Sequence, residues 1–154
     1  MTDKIEWNEE LLKLPVLSIR PPWASLIVCG FKDIENRNWY TNFRGKFLIH
    51  QSKTFDYEGY DWIKRNFDIS TFGWVKYETR QQPEKCYDMG GIIGVSEIVD
   101  CVSHSDSKWF FGKFGFVLKN SQQLPFYPCK GQLSFFHLNV QYKDIENVLH
   151  GKDF

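Results

Sequence analysis

The run Gly91 to Val102 (G-I-I-G-V-S-E-I-V-D-C-V) is the strongest strand signal in the chain, so any fold must place it in a sheet. Its odd positions, Ile93, Val95, Glu97, Val99 and Cys101, form an apolar face interrupted by one carboxylate. An ionised group on such a face must be paired or must border a wet cavity, because burying it alone costs several kcal/mol. Glu97 is therefore either held by an Arg or Lys partner or stands at the wall of a cleft, where a carboxylate serves acid–base work.

The remaining periodicity supplies partners for that strand. Pro15 to Arg20 (P-V-L-S-I-R) alternates like a strand, and Pro21-Pro22 stops it. A proline fits the first turn of a helix, so Trp23 to Cys29 reads as a short buried helix capped by Gly30. Period two returns from Phe31 to Trp39, a polar turn covers Thr41 to Gly45, and a strand runs from Lys46 to Ser52. Tyr57 to Phe67 is an amphipathic helix with Tyr60, Ile63 and Phe67 on one face. Phe114 to Lys119 and Leu133 to Leu138 are expected as two further strands, and Lys143 to His150 as a short terminal helix. At least five strands with two or three helices at the edges make a small barrel-like α+β domain the economical architecture. Residues 1–15 read as a leader, 16–140 as the domain, 68–88 as an exposed, partly helical insertion, and 141–154 as a tail.

Length and charge narrow the partners. A chain of 154 residues suits one domain that buries roughly 70% of its unfolded surface without disulfide staples. Nineteen Lys and Arg balance nineteen Asp and Glu, whereas sequence-blind duplex binding usually needs a clearly basic domain. A local basic groove is compatible with that balance. The longest apolar run, Ala24 to Cys29, falls far short of the ~20 residues a bilayer requires, so no membrane partner is expected. Met1 to Glu10 has no apolar h-region. Cys29, Cys86, Cys101 and Cys129 are widely spaced with no C-x-x-C pair, which fits reduced thiols in the cytoplasm and no metal or cofactor. Aromatic residues make up 18%, more than a core of this size needs, so some rings are expected to line a surface or a cleft.

Charged residues cluster directly after the buried helix, in Gly30 to Trp39 (G-F-K-D-I-E-N-R-N-W). If Asp33 to Trp39 is extended, then Asp33, Glu35, Arg37 and Trp39 share a face; Lys32 joins them only if the chain turns just after Gly30. Such residues either pair as a solvated edge strand or converge on a ligand. His50 shares a face with Leu48 and Ser52, beside Lys53, and is a core residue or a ligand contact. Lys130 precedes Gly131, where glycine permits close approach of a ligand or another strand. Trp23, Trp39, Trp109, Phe110 and Phe111 either stack on bases or pack in the core.

The run L-S-I-R-P-P-W-A-S-L-I-V-C-G-F-K-D-I-E-N-R-N-W, residues 17–39, resembles the opening of an ASCH domain, a branch of the PUA-like superfamily. The signature Gly-x-Lys-x-x-Glu-x-Arg is matched by Gly30, Lys32, Glu35 and Arg37. Arg44-Gly45 with L-I-H-Q-S-K at 48–53, G-I-I-G-V-S-E-I-V-D-C at 91–101, W-F-F-G-K-F-G-F-V-L at 109–118 and C-K-G-Q-L-S-F-F at 129–136 continue the likeness to small stand-alone bacterial and phage members. The resemblance implies a PUA-like β-barrel flanked by helices, a cleft walled by the signature residues, and RNA or nucleotide ligands. Members with demonstrated chemistry are ribonucleases or N4-acetylcytidine amidohydrolases. The amidohydrolase branch carries Gly-x-Lys-Thr-x-Thr-x-Arg with a nucleophilic second Thr; here that position is Glu35, which cannot do the same alkoxide chemistry.

Three functions follow as expectations. An RNA- or modified-nucleoside-binding module would use Arg37, Arg44, Lys53 and Lys130 on phosphate or sugar and Trp39 or another ring against the base, with Trp23 and His50 as further ligand contacts. A metal-independent hydrolase of RNA or N4-acylated cytidine would use Glu35 or Glu97 as general base and Lys32 to stabilise an oxyanion. A docking module would present Phe72, Trp74 and Tyr77 to a protein partner.

Overall fold

The computed structural model of the chain describes residues 4–72 and 87–151. The elements follow in the order β1 (Val16–Ile19), α1 (Trp23–Val28), β2 (Ile34–Arg37), β3 (Gly45–Gln51), α2 (Tyr57–Asn66), β4 (Gly91–Val102), β5 (Phe114–Pro128) and α3 (Tyr142–Leu149). All five strands form one sheet in the order β1-β3-β4-β5-β2. The β1–β3 pair is parallel and every other pair antiparallel. The sheet curls so that its two edge strands, β1 and β2, approach each other, giving the small PUA-like half-barrel of α+β class.

Local chemistry explains the placement of α1. The proline pair ends β1, and Pro22 caps the helix. At the far end Gly30 takes a left-handed φ of 86°, which few other residues adopt without strain. The chain then folds back so that the amides of both Phe31 and Lys32 donate to the Leu26 carbonyl, at 2.9 and 3.0 Å. That turn carries Lys32 under the helix. Ala24, Ile27 and Val28 pack with Leu17, Phe47, Ile98 and Phe116 of the sheet. Leu26 packs with Tyr60 and Ile63 of α2, so α1 is covered on both sides.

The opposite face of the sheet is closed by both ends of the chain. Trp7 and Leu11 before β1, and Ile145 on α3, join Val16, Leu48, Ile92, Val95 and Tyr127 in one cluster. A capping box between Gln141 and Asp144 starts α3 and aims Ile145 inward, where it is 0% exposed.

Three expectations are corrected. Leu133 to Leu138 is not a strand: Ser134 has a φ of 57°, Leu133 is 96% exposed, and only Phe136 bridges to Val16. The strand length lies instead in β5, which continues through the polar Asn120 to Gln123 because β4 pairs with it on both sides of a bulge. The apolar odd face of β4 also does not persist. Register shifts on β4 break the alternation: Val95, Ser96 and Ile98 are buried, whereas Val99 is exposed. The 68–88 segment is not uniformly exposed either, since Phe72 and Tyr87 are both buried at 4%. Trp74 and Tyr77 lie outside the described residues.

Ile145 and Leu133 give a clean contrast in stability. Ile145→Ala is expected to cost about 2–5 kcal/mol, and Leu133→Ala to stay within about 0.5 kcal/mol of the parent. Denaturant midpoints at an unchanged m-value check both.

Candidate functional site

Lys32, Glu35 and Arg37 of the signature converge in a cleft of about 500 Å³ between the edge strands. Ser18, Ile19 and Arg20 enter from β1 and its end, Glu35 to Trp39 from β2 and the turn after it, and Trp23, Lys32, Trp109 and Phe111 complete the lining. At its floor lies a buried ionic chain. Lys32, 3% exposed, donates through Nζ to the Ile34 carbonyl and stands 3.4 Å from Glu35 Oε1. Glu35 Oε2 accepts from Arg37 Nε at 3.1 Å and lies 2.9 Å from its terminal nitrogen. That same nitrogen donates to the Ser18 carbonyl at 3.0 Å, joining β2 to β1. Burial pulls the Lys32 amine below the ordinary lysine range, and the facing Glu35 carboxylate opposes that pull.

Rings from separate clusters wall the cleft. Trp23 is fixed by its indole N–H to Asp56 Oδ2 at 2.8 Å, and its ring lies edge-on to Trp109. Trp109 stacks on Phe67, and Phe111, half exposed, abuts Trp62. Asn36 holds this loop at both ends of its amide: it donates to the Trp109 carbonyl at 2.8 Å and accepts from the Phe111 amide at 3.0 Å. Trp39 packs with Phe116 and Phe135 instead.

The structure thus brings Trp23, Lys32, Glu35, Arg37 and Trp39 together. Asp33 leaves their face and accepts from the Ser107 hydroxyl. Glu97 lies apart from the cleft, paired in register between Lys46 and Lys119, with its Oε1 accepting from Asn120 at 3.0 Å. Arg44 is also apart, donating to the carbonyls of Thr41 and Phe43 and lying 3.7 Å from Asp100.

His50, Lys53 and Lys130 meet in a second cleft of about 770 Å³, with Ser18, Ser52, Gly90, Cys129 and Gly131. Register pairing sets Ser18 beside His50, and the Ser18 hydroxyl is 2.9 Å from His50 Nδ1. His50 Nε2 is 2.8 Å from the Cys129 carbonyl, which only accepts, so Nε2 carries the proton and Nδ1 accepts from Ser18. Gly131 lies so close that a Cβ there would stand 2.8 Å from the Ser18 hydroxyl oxygen. Burial lowers the His50 pKa, and burial pushes the Cys129 thiol up to about 11, leaving it protonated near neutrality. Ser18, Arg20, Asn36 and Asn38 carried no signal in the sequence, because nothing local marks a residue that lines a cleft between distant strands.

Glu35→Ala leaves the buried Lys32 without its carboxylate and the half-buried Arg37 without its partner, and is expected to cost about 3–5 kcal/mol, whereas Glu97→Ala stays within about 0.5 kcal/mol; denaturant titration distinguishes them. The His50 shift sets a pH dependence. Below the unfolded value of 6.5 the unfolded chain takes up the proton first, so stability falls as pH drops toward the lower folded value. His50→Gln is expected to flatten that fall, read as urea midpoints at pH 7 and below 6.

Among the described residues, no helix is long and apolar enough to cross a membrane. The chain is similar to activating signal cointegrator 1 of Homo sapiens, 29% identical over 133 residues, and of Mus musculus, 28% identical over 133 residues. In both cases the alignment covers 80% of this chain and 22% of the relative, so the chain spans a minor part of each relative's length. Among solved structures, a mutant ASCH protein from Zymomonas mobilis aligns at 12% identity and a TM-score of 0.47, over 93% of this chain and 99% of that one. A second ASCH structure from Zymomonas mobilis aligns at 13% identity and 0.46, over 90% and 94%. The family model described as the ASCH domain matches residues 17–148, from β1 into α3, and the chain belongs to the ASCH domain family.

Proposed function

We propose that the first cleft binds a single RNA base or a modified nucleoside. The observation that carries this reading is the cleft itself, which the rings of Trp23, Trp39, Trp109 and Phe111 line together with the linked Lys32, Glu35 and Arg37. Its volume falls within the roughly 300–1,000 Å³ typical of small-molecule sites. An ammonium has three donors, and Ile34 and Glu35 engage two, which leaves Lys32 a donor for a ligand oxygen at the floor. The exposed Asn38 amide offers a donor and an acceptor to a base edge. Phe111 supplies an exposed ring at the mouth, on which any base can stack. A formal net charge of zero suits a footprint of few phosphates.

Hydrolysis of RNA or of N4-acylated cytidine is the second reading, favoured by the lowered pKa of a lysine inside the cleft. Against it, both Glu35 oxygens are engaged, one by Lys32 and one by Arg37, which suits a fixed counter-charge better than a base that activates water. Protein docking through Phe72 loses support because that ring is buried against Phe31 and Phe67.

One experiment separates these readings. Purified protein is titrated with ribonucleosides, including N4-acetylcytidine, and with short single-stranded RNAs, and the same mixtures are weighed by mass spectrometry without added metal. Binding with unchanged masses is expected, and Phe111→Ala should weaken it by about 1–3 kcal/mol, the worth of one stacked base. A mass loss or strand cleavage that disappears in Lys32→Ala would establish the hydrolase instead, and the absence of both binding and turnover overturns both.

A further inference from the structure

The second cleft has a composition that the chain as a whole lacks. Its lining holds Lys53 and Lys130, the buried His50, and no carboxylate, on a protein whose charges otherwise balance. Both lysines are exposed, and neither faces an acidic partner within the lining. Lys53 is laid across Gly90, whose missing side chain makes room for the lysine stem; a Cβ there would stand 2.5 Å from its Cε. The lysine stem therefore runs along the wall of the cleft.

The two clefts share Ser18, and the structure fixes that residue from both sides. Its carbonyl accepts from Arg37 in the first cleft, and its hydroxyl meets His50 in the second. His50 in turn holds the Cys129 carbonyl, which anchors the loop carrying Lys130. Gly131 packs directly on the Ser18–His50 pair, so the loop cannot drift away without breaking both contacts. Ser18 thus stands between the two clefts, with rings and an ionic floor on one side and cations on the other.

Building on the reading of the first cleft as a base site, we infer that the second cleft is a phosphate subsite for the adjoining nucleotide of a single strand. The ligand is then a base within an RNA strand rather than a free nucleoside: the base enters the first cleft, and the backbone passes Ser18 to place a phosphate between Lys53 and Lys130. The lysines act as point charges on the phosphate oxygens.

The test compares ribonucleosides, their 3′- and 5′-monophosphates and the matching dinucleotides on the parent protein, a Lys53→Gln/Lys130→Gln variant and Phe111→Ala. Dinucleotides are expected to bind the parent about tenfold or more tighter than the nucleosides. The double lysine variant should lose that gain, keep its nucleoside affinity, and show a salt slope shallower by about 0.7 for each phosphate contact removed. Phe111→Ala should weaken nucleoside and dinucleotide alike. Equal affinity for nucleoside and dinucleotide, retention of the gain in the double variant, or equal competition by an acidic peptide overturns the phosphate subsite while leaving the base site standing. Binding of no nucleoside or dinucleotide to the parent overturns the base site as well. Unchanged melting temperatures of the double variant exclude a folding defect as the cause.

Discussion

Arg37 is the joint on which the rest of the structure depends. The sheet ends in β1 on one side and β2 on the other, and the Arg37 guanidinium spans the gap by donating to the Ser18 carbonyl. A backbone ladder between those edges would have closed the barrel and filled the space. A seam made of side chains leaves a cleft instead. That arrangement demands buried charge, and each buried ion costs several kcal/mol unless it is paired and hydrogen-bonded. Glu35 sits between Lys32 and Arg37 and serves both, while the Ile34 carbonyl takes a further lysine proton. The Lys, Glu and Arg of the signature are thus one electrostatic unit that is at once the seam of the fold and the floor of the site.

The same economy governs the aromatic residues. One group of rings packs around α2, where Trp62, Phe67, Phe72 and Trp109 contact one another. The cleft receives the faces and edges left over, from Trp23, Trp109 and Phe111, and Trp39 reaches it from a different cluster. Packing on one side and polar anchors on the other hold these rings still. Asp56 fixes Trp23 while also capping α2, so the helix start and the cleft wall are set by one carboxylate. Asn36 does the same for the loop carrying Trp109 and Phe111. A wall built this way loses little side-chain entropy when a ligand enters.

Much of the fold was legible locally. The strand that ends at the proline pair, the helix capped by Gly30, the strand before residue 52, the long strand at Gly91 and the helix starting at Tyr57 all fall within a residue or two of where periodicity and capping place them. Lys32 joins Glu35 and Arg37 only if the chain turns after Gly30, and the left-handed glycine makes that turn. The errors share a cause. Counting alternate residues puts Glu97 on an apolar face, but bulges reset the alternation along β4. Residues 133–138 carry the apolar and aromatic residues of a strand, yet among the described residues they have one point of pairing, at Phe136. Asn120 to Gln123 look like the end of a strand, and pairing with β4 carries the strand through them.

The sequence by itself determined the elements, the buried helix between the edge strands and the signature that closes the seam, because capping, proline stops and side-chain period act over a few residues. Only the tertiary structure decided strand order, the bulged registers and the division of the candidate residues. Trp23, Lys32, Glu35, Arg37 and Trp39 fall to one cleft, His50, Lys53 and Lys130 to another, and Arg44 and Glu97 to neither. Each of those outcomes depends on which distant strand lies alongside, and a serine with no local signal stands between the clefts because β1 pairs with β3 on one side and meets β2 on the other.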